Sequence, residues 1–102
     1  MSDSVAHGVQ LELYSSSFCA ACRQTRAVLG RVTGMLPTLA LVEHDVAAVP
    51  ELAESNTIVA TPTVIVRNAE GKETFRAAGV PTVEQVLRAV ALAASRNLPT
   101  SE

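Results

Sequence analysis

Two cysteines occur in the 102 residues, Cys19 and Cys22, within "YSSSFCAACRQTRAVL". Three chemistries fit such a pair. As a dithiol, two cysteines three positions apart can close a small disulfide with little backbone movement. As metal ligands they supply half of the roughly four that a structural zinc site needs. His7 and His44 are the histidines on offer, and they lie far from the pair and from each other. A metal or cluster carrier would therefore need thiols from outside, for instance across a dimer. As two small core residues they would be buried and inert.

The surrounding elements bear on that choice. "VQLELY", residues 9–14, alternates apolar and polar positions and reads as a strand. "SSSF" is a short loop. Residues 20–33 read as a helix with Ala21, Thr25, Val28, Leu29 and Val32 on one face. Gly34 stands where a helix C-cap is expected, and Pro37 blocks continuation. Cys19 therefore falls at a helix N-terminus, where unpaired N–H groups and the positive dipole end favour a thiolate over a thiol. Its pKa is expected to drop below the ~8.5 of a free cysteine, which makes it a nucleophile. Cys22, one turn further in, is expected to be the more buried. Arg23 and Arg26 follow Cys19 at i+4 and i+7. Each either adds positive potential at the thiolate or is an ordinary solvated side chain.

A second constellation is "ATPTVIV", residues 60–66. Pro62 opens a β-branched run that reads as a central strand over 62–67, where proline is normally excluded. One solution is a cis Thr61–Pro62 bond in a tight loop. Such a loop leaves the Thr61 backbone free to pair with an extended peptide. The plain alternative is a trans proline at a strand start. Elsewhere, residues 38–46 read as a strand, and Pro50 opens a short helix over 51–55 with Asn56 as its left-handed exit. "NAEGK" at 68–72 is a hairpin turn, and residues 73–79 return as an antiparallel strand. Thr82 and Gln85 form a capping box for a last helix that faces Val83, Val86, Leu87, Val90 and Ala94 inward. The order βαβαββα implies a right-handed parallel crossover and then an antiparallel hairpin. That makes an α/β fold with a mixed four-stranded sheet and helices on both faces.

Composition sets the outer limits. The chain is one domain by length. Apolar residues make up 48% of it and aromatics 3%, so Val, Leu, Ile and Ala must fill the core. With a net charge of −2 and no basic cluster, nucleic acid is not an expected partner. The apolar runs fall far short of the roughly 20 residues of a membrane span. The start, "MSDSVAHG", lacks the marks of a secretory signal. The expected location is cytoplasmic, where reductants keep thiols reduced and a purely structural disulfide is rare. The domain is expected over 9–96, between a flexible arm at 1–8, which carries His7, and a tail at 97–102. His44, between Glu43 and Asp45, is expected to be a surface histidine.

"FCAAC" resembles the aromatic-Cys-x-x-Cys signature of the thioredoxin family, and "TPT" resembles the proline loop that faces those cysteines. The likeness extends from about residue 9 to 92. It implies a small protein-disulfide oxidoreductase of thioredoxin-like fold. In that reading Cys19 is the nucleophile, Cys22 resolves, and a cis Pro62 becomes the expectation. Phe18, Thr61, Pro62 and Val80 would bind the substrate, a disulfide-containing protein. The redox disulfide itself would replace any cofactor or metal. A dithiol or a flavin-dependent reductase would supply electrons, and the protein would act as a monomer.

This sequence departs from the family in three ways. It begins too late for the family's first strand and helix. Leu13 and Leu41 stand where the family usually has a buried Asp and its Lys partner, which leaves Glu12, Glu43 or water to take the Cys22 proton. Ala20 and Ala21 replace the usual Gly-Pro. A glutaredoxin is the weaker match, because the segment at Gly79 lacks the stretch with which glutaredoxins hold glutathione. Two other functions remain open: a redox-inactive adaptor of the same fold, and a cluster carrier.

Overall fold

The computed structural model describes residues 6–95. In chain order the elements are β1 (Gln10–Ser15), α1 (Ala20–Met35), β2 (Ala40–Asp45), α2 (Pro50–Ser55), β3 (Thr63–Arg67), β4 (Glu73–Ala78) and α3 (Val83–Ser95). The strands form one sheet in the order β2-β1-β3-β4. β1 runs parallel to β2 and antiparallel to β3, and β3 and β4 form the hairpin. The mixed four-stranded α/β sheet is the one the element order implies.

Strand alternation divides the sheet into two unlike faces. Leu11 and Leu13 of β1 and Val64 and Val66 of β3 join Leu29 and Val32 of α1 and Val86 and Val90 of α3 in one apolar cluster. α1 and α3 thus share one face of the sheet. Between these residues in sequence lie Glu12, Tyr14 and Arg67, which belong to the other face. There Glu12 and Arg67 form an ion pair at 2.9 Å. Arg67 also donates to Asn56 Oδ1 at 2.8 Å, and Asn56 Nδ2 donates to the Tyr14 hydroxyl at 3.3 Å. Asn56 caps α2, so this polar network ties α2 to the second face. The Tyr14 ring also lies against His44, with centroids 5.0 Å apart. His44 is therefore partly buried rather than a free surface residue. Burial, and after it the Glu12 carboxylate, pushes the Tyr14 hydroxyl above its ordinary pKa.

Several boundaries differ from expectation for local reasons. α1 runs through Gly34 to Met35, and its cap is Leu36, whose N–H reaches Val32 O. Leu36 precedes Pro37, and the proline ring disfavours the helical conformation in the residue before it. Glycine is tolerated inside a helix at a cost of about 1 kcal/mol, so the stop falls at the proline. β2 is two residues shorter at its start and one at its end than the apolar run suggests, and β3 begins at Thr63, after the proline. Asn56 is not the left-handed exit of α2. Its φ is −96°, and Thr57 takes the left-handed turn with φ 53°. The Asn56 side chain is committed to Leu52 O, Tyr14 and Arg67, which fixes its backbone. The capping box is present in both directions: Gln85 N–H donates to Thr82 Oγ1 at 3.0 Å, and Thr82 N–H donates to Gln85 Oε1 at 2.9 Å. Ala6 is fully buried in the core, so packing reaches into the segment expected as an arm. Residues 97–102 lie outside the described residues. Among those described, no helix is long and apolar enough to cross a membrane.

Candidate active site

β1 ends at Ser15, and a three-residue loop carries the chain to Cys19 at the start of α1. Cys19 is the N-cap, with extended backbone (φ −114°, ψ 104°). Its Sγ accepts the backbone N–H of Cys22 at 3.0 Å. A sulfur thus occupies the place that a Ser or Asp oxygen takes in an ordinary N-cap. The first turn contains no acidic residue. Cys19 and Cys22 are joined in a disulfide, with Cα atoms 5.2 Å apart. Cys22 is buried on the inward face of α1 with Thr25, Leu29 and Val32, whereas Cys19 is partly exposed. The relative burial of the two sulfurs is the one their helix positions imply.

The loop holds both its ends. The Ser15 hydroxyl donates to Glu43 Oε2 at 2.7 Å, toward β2. Ser16 Oγ shares a hydrogen bond with Thr61 Oγ1 at 2.8 Å. Phe18 has φ 58°, a left-handed conformation that is uncommon for an aromatic residue, and its ring is fully exposed.

The proline segment is pinned around one residue. The Thr61–Pro62 peptide is cis. The Thr63 hydroxyl donates to Ala60 O at 2.7 Å, and Gly79 N–H donates to Pro62 O at 2.9 Å. The Thr61 N–H and C=O have no partner among the described residues. Gly79 has φ 91°, which turns the chain at the end of β4 into Val80, itself 41% exposed. Two hydrogen bonds therefore join three segments: the Phe18–Cys19 loop to Thr61, and Pro62 to the Gly79–Val80 turn. Five of the six residues singled out in the sequence lie on these three segments, and the sixth, Cys22, lies in the first turn of α1, joined to Cys19. Val59 was not singled out, yet it stands 93% exposed two residues before Thr61. An apolar residue beside the "TPT" loop was the available signal. Ser16 belongs to a short loop, and nothing in its local sequence marks its distant partner.

The charged groups sort by face. Leu13 is buried, and its partner across the β1–β2 ladder is Glu43, while Leu41 pairs with Leu11 and is partly exposed. Glu12 is turned to the opposite face and held by Arg67. On the side of α1, Arg26 donates to both Glu43 oxygens, at 2.9 and 2.6 Å. Those hydrogen bonds, with help from Ser15, hold the Glu43 carboxyl below its ordinary pKa despite its partial burial. Arg26 is thus committed to Glu43 rather than to a sulfur, while Arg23 is exposed. Among the described residues, no group of three or more His, Cys, Asp or Glu side chains could hold a metal ion.

No family model matches the chain. It is similar to a thioredoxin of Chlamydia trachomatis, with 26% identity over 88 residues that cover 86% of this chain and 85% of that protein. Among solved structures it is similar to mitochondrial thioredoxin 3 of Saccharomyces cerevisiae in its oxidised form. There the TM-score is 0.72 and the identity 16%, over 85% of this chain and 80% of that one. It is also similar to a thioredoxin of Fasciola hepatica, with TM-score 0.70 and 23% identity over 85% and 82% of the two chains.

Proposed function

We propose that the chain, which is similar to thioredoxins over most of its length, is a member of the thioredoxin family and a thiol–disulfide oxidoreductase that reduces disulfides in partner proteins through Cys19 and Cys22. The observation that carries this reading is the Cys19 sulfur at the N-cap of α1. It already accepts a main-chain N–H and is joined to Cys22. A thiolate at that position receives the same hydrogen bond and the positive end of the helix dipole.

The cycle needs two displacements. In the first, the Cys19 thiolate attacks one sulfur of a partner's disulfide. A Cys19–partner S–S bond forms, and the partner's other sulfur leaves as a thiolate. In the second, Cys22 attacks the Cys19 sulfur. The Cys22 S–H bond is lost, the Cys19–Cys22 bond forms, and the partner's second sulfur leaves with the electron pair. The Cys22 proton ends on the departing partner sulfur. Two electrons have then passed to the partner, whose first thiolate takes its proton from solvent so that two thiols result, and the domain is oxidised. A dithiol or a flavin-dependent reductase returns it to the reduced form, with no cofactor bound to this chain. The partner's segment lies along Thr61, whose N–H and C=O are unclaimed, and Phe18, Val59 and Val80 give it apolar contacts. We place this activity in the cytoplasm and in the monomer.

The test is reduction of a disulfide-bonded protein by wild type, Cys19→Ser and Cys22→Ser with a dithiol reductant. Wild type turns over, and each variant loses at least about a hundredfold. Variants that match wild type would sink the reading and leave an adaptor of the same fold.

A further inference from the structure

We propose that the Ser16–Thr61 hydroxyl pair is the latch that sets the docking edge against the attacking sulfur. This makes Ser16 a positioning residue for disulfide exchange, and the proposal rests on the docking role of Thr61 given above. The two hydroxyls meet at 2.8 Å across 45 residues of chain, and either one can donate. On one side, Ser16 stands at a fixed point. Its neighbour Ser15 is held by Glu43 Oε2 and reaches His44 O at 3.4 Å, and Cys19 follows three residues later. On the other side, Thr61 is flanked by carbonyls that are already committed, Ala60 O to Thr63 and Pro62 O to Gly79. Pro62 has no N–H to offer. Thr61 is thus the position in this segment with a free backbone pair, and its side chain has one described partner, Ser16.

The geometry of exchange gives the latch its purpose. The attacking sulfur, the attacked sulfur and the leaving sulfur must line up. The first is set by the loop after β1, and the other two by whatever holds the partner. If the partner pairs with the Thr61 backbone, the angle between that backbone and the Cys19 loop decides whether its sulfur arrives in line. The Ser16–Thr61 bond joins the two parts side chain to side chain, without passing through the core. A small disulfide that reaches Cys19 without pairing to Thr61 does not depend on it.

The experiment compares wild type, Ser16→Ala, Thr61→Val and the double variant. Insulin and a small aromatic disulfide serve as substrates. With insulin, either single change is expected to raise KM roughly three- to tenfold, the size of one lost hydrogen bond. The double variant is expected to be no worse than the poorer single, because both changes break the same bond. Ser16→Ala is expected to keep kcat/KM for the small disulfide, and the potential of the Cys19–Cys22 couple, at wild-type values. The proposal is overturned if the insulin KM of Ser16→Ala is unchanged. It is equally overturned if the two effects multiply in the double variant, or if the small disulfide suffers as much as insulin. A wild type inactive on insulin and on other protein disulfides overturns the functional reading and the latch with it. An active wild type with an indifferent Ser16→Ala overturns the latch alone.

Discussion

Leu13 and Glu43 are direct partners across the β1–β2 ladder, so a carboxylate from the neighbouring strand shares with Leu13 the sheet face that α1 covers. That carboxylate is already occupied by Arg26 and Ser15 and is held below its ordinary pKa. A base so depressed is a poor match for a thiol proton. Glu12 is on the opposite face. Glu43→Gln is therefore expected to change the rate of partner release by less than about threefold. Rapid-quench measurement of mixed-disulfide resolution checks this. A loss of tenfold or more would assign the Cys22 proton to Glu43.

The same ion pair predicts a dependence of stability on pH. The folded pKa of Glu43 lies below its ordinary value of 4.5. Its stabilising contribution is therefore fully present above that value and is lost as pH falls through the folded pKa. The side chains of Arg26 and Glu43 are 48% and 33% exposed, so the contribution at neutral pH is expected to stay below about 1 kcal/mol. Denaturant melts of wild type and Glu43→Gln should differ slightly at pH 7 and converge as pH falls through the folded pKa of Glu43.

The two cysteines should differ in reactivity once reduced. Cys19 is partly exposed at the N-cap and Cys22 is buried, so limiting iodoacetamide should modify Cys19 first. In Cys22→Ser the partner should remain attached to Cys19 as a stable mixed disulfide, seen as a mass shift that reductant removes. In Cys19→Ser no such adduct should accumulate. Equal labelling of both thiols would contradict this assignment of roles.

On the other face, Glu12 and Arg67 have side chains only 10% and 20% exposed. Arg67→Met leaves Glu12 nearly buried without its cation and removes the bond to Asn56. The expected loss is about 2–4 kcal/mol of folding stability. Adding Glu12→Leu should recover part of it, since no unpaired charge then remains. Disulfide reduction per folded molecule should be unchanged, because the network lies on the sheet face away from Cys22. Urea unfolding alongside turnover separates the two effects.

Thr82→Ala should cost about 1 kcal/mol, since it breaks half of the capping box of α3. Thr82→Ser should restore most of that, which thermal melts would show.

The fold was legible because each element carried its own local signal: strict alternation in "VQLELY", an unbroken β-branched run in "TVIV", and a reciprocal cap at Thr82 and Gln85. The cysteine end of the site was legible for the same reason, as Cys-x-x-Cys at a helix start is a local pattern. What remained hidden depends on contacts distant in sequence. The ladder register that sets Glu43 opposite Leu13 follows from the parallel pairing of β1 with β2. The Ser16–Thr61 bond spans two loops whose serine and threonine look unremarkable in isolation. Asn56 was a reasonable left-handed residue by type. Its amide, however, serves Tyr14 and Arg67, and the turn moved to Thr57. Gly34 lost to Pro37 because the steric clash before a proline outweighs the modest cost of a glycine inside a helix.

Phe18 has a further consequence for the partner docking proposed above. Its backbone is fixed by the turn into α1, and its ring has no protein neighbour. A ring packed against its own domain would have to give up those contacts before a partner could cover it. Here nothing is exchanged. Covering the ring gains roughly 1.5–3 kcal/mol of apolar burial, less the lost freedom of its two side-chain torsions. On the proposed docking role of Phe18, covering its ring therefore asks for no repacking of the domain. On that proposed role encounter becomes a matter of capture, and the same exposed ring would serve partners that share little beyond an apolar residue near their disulfide.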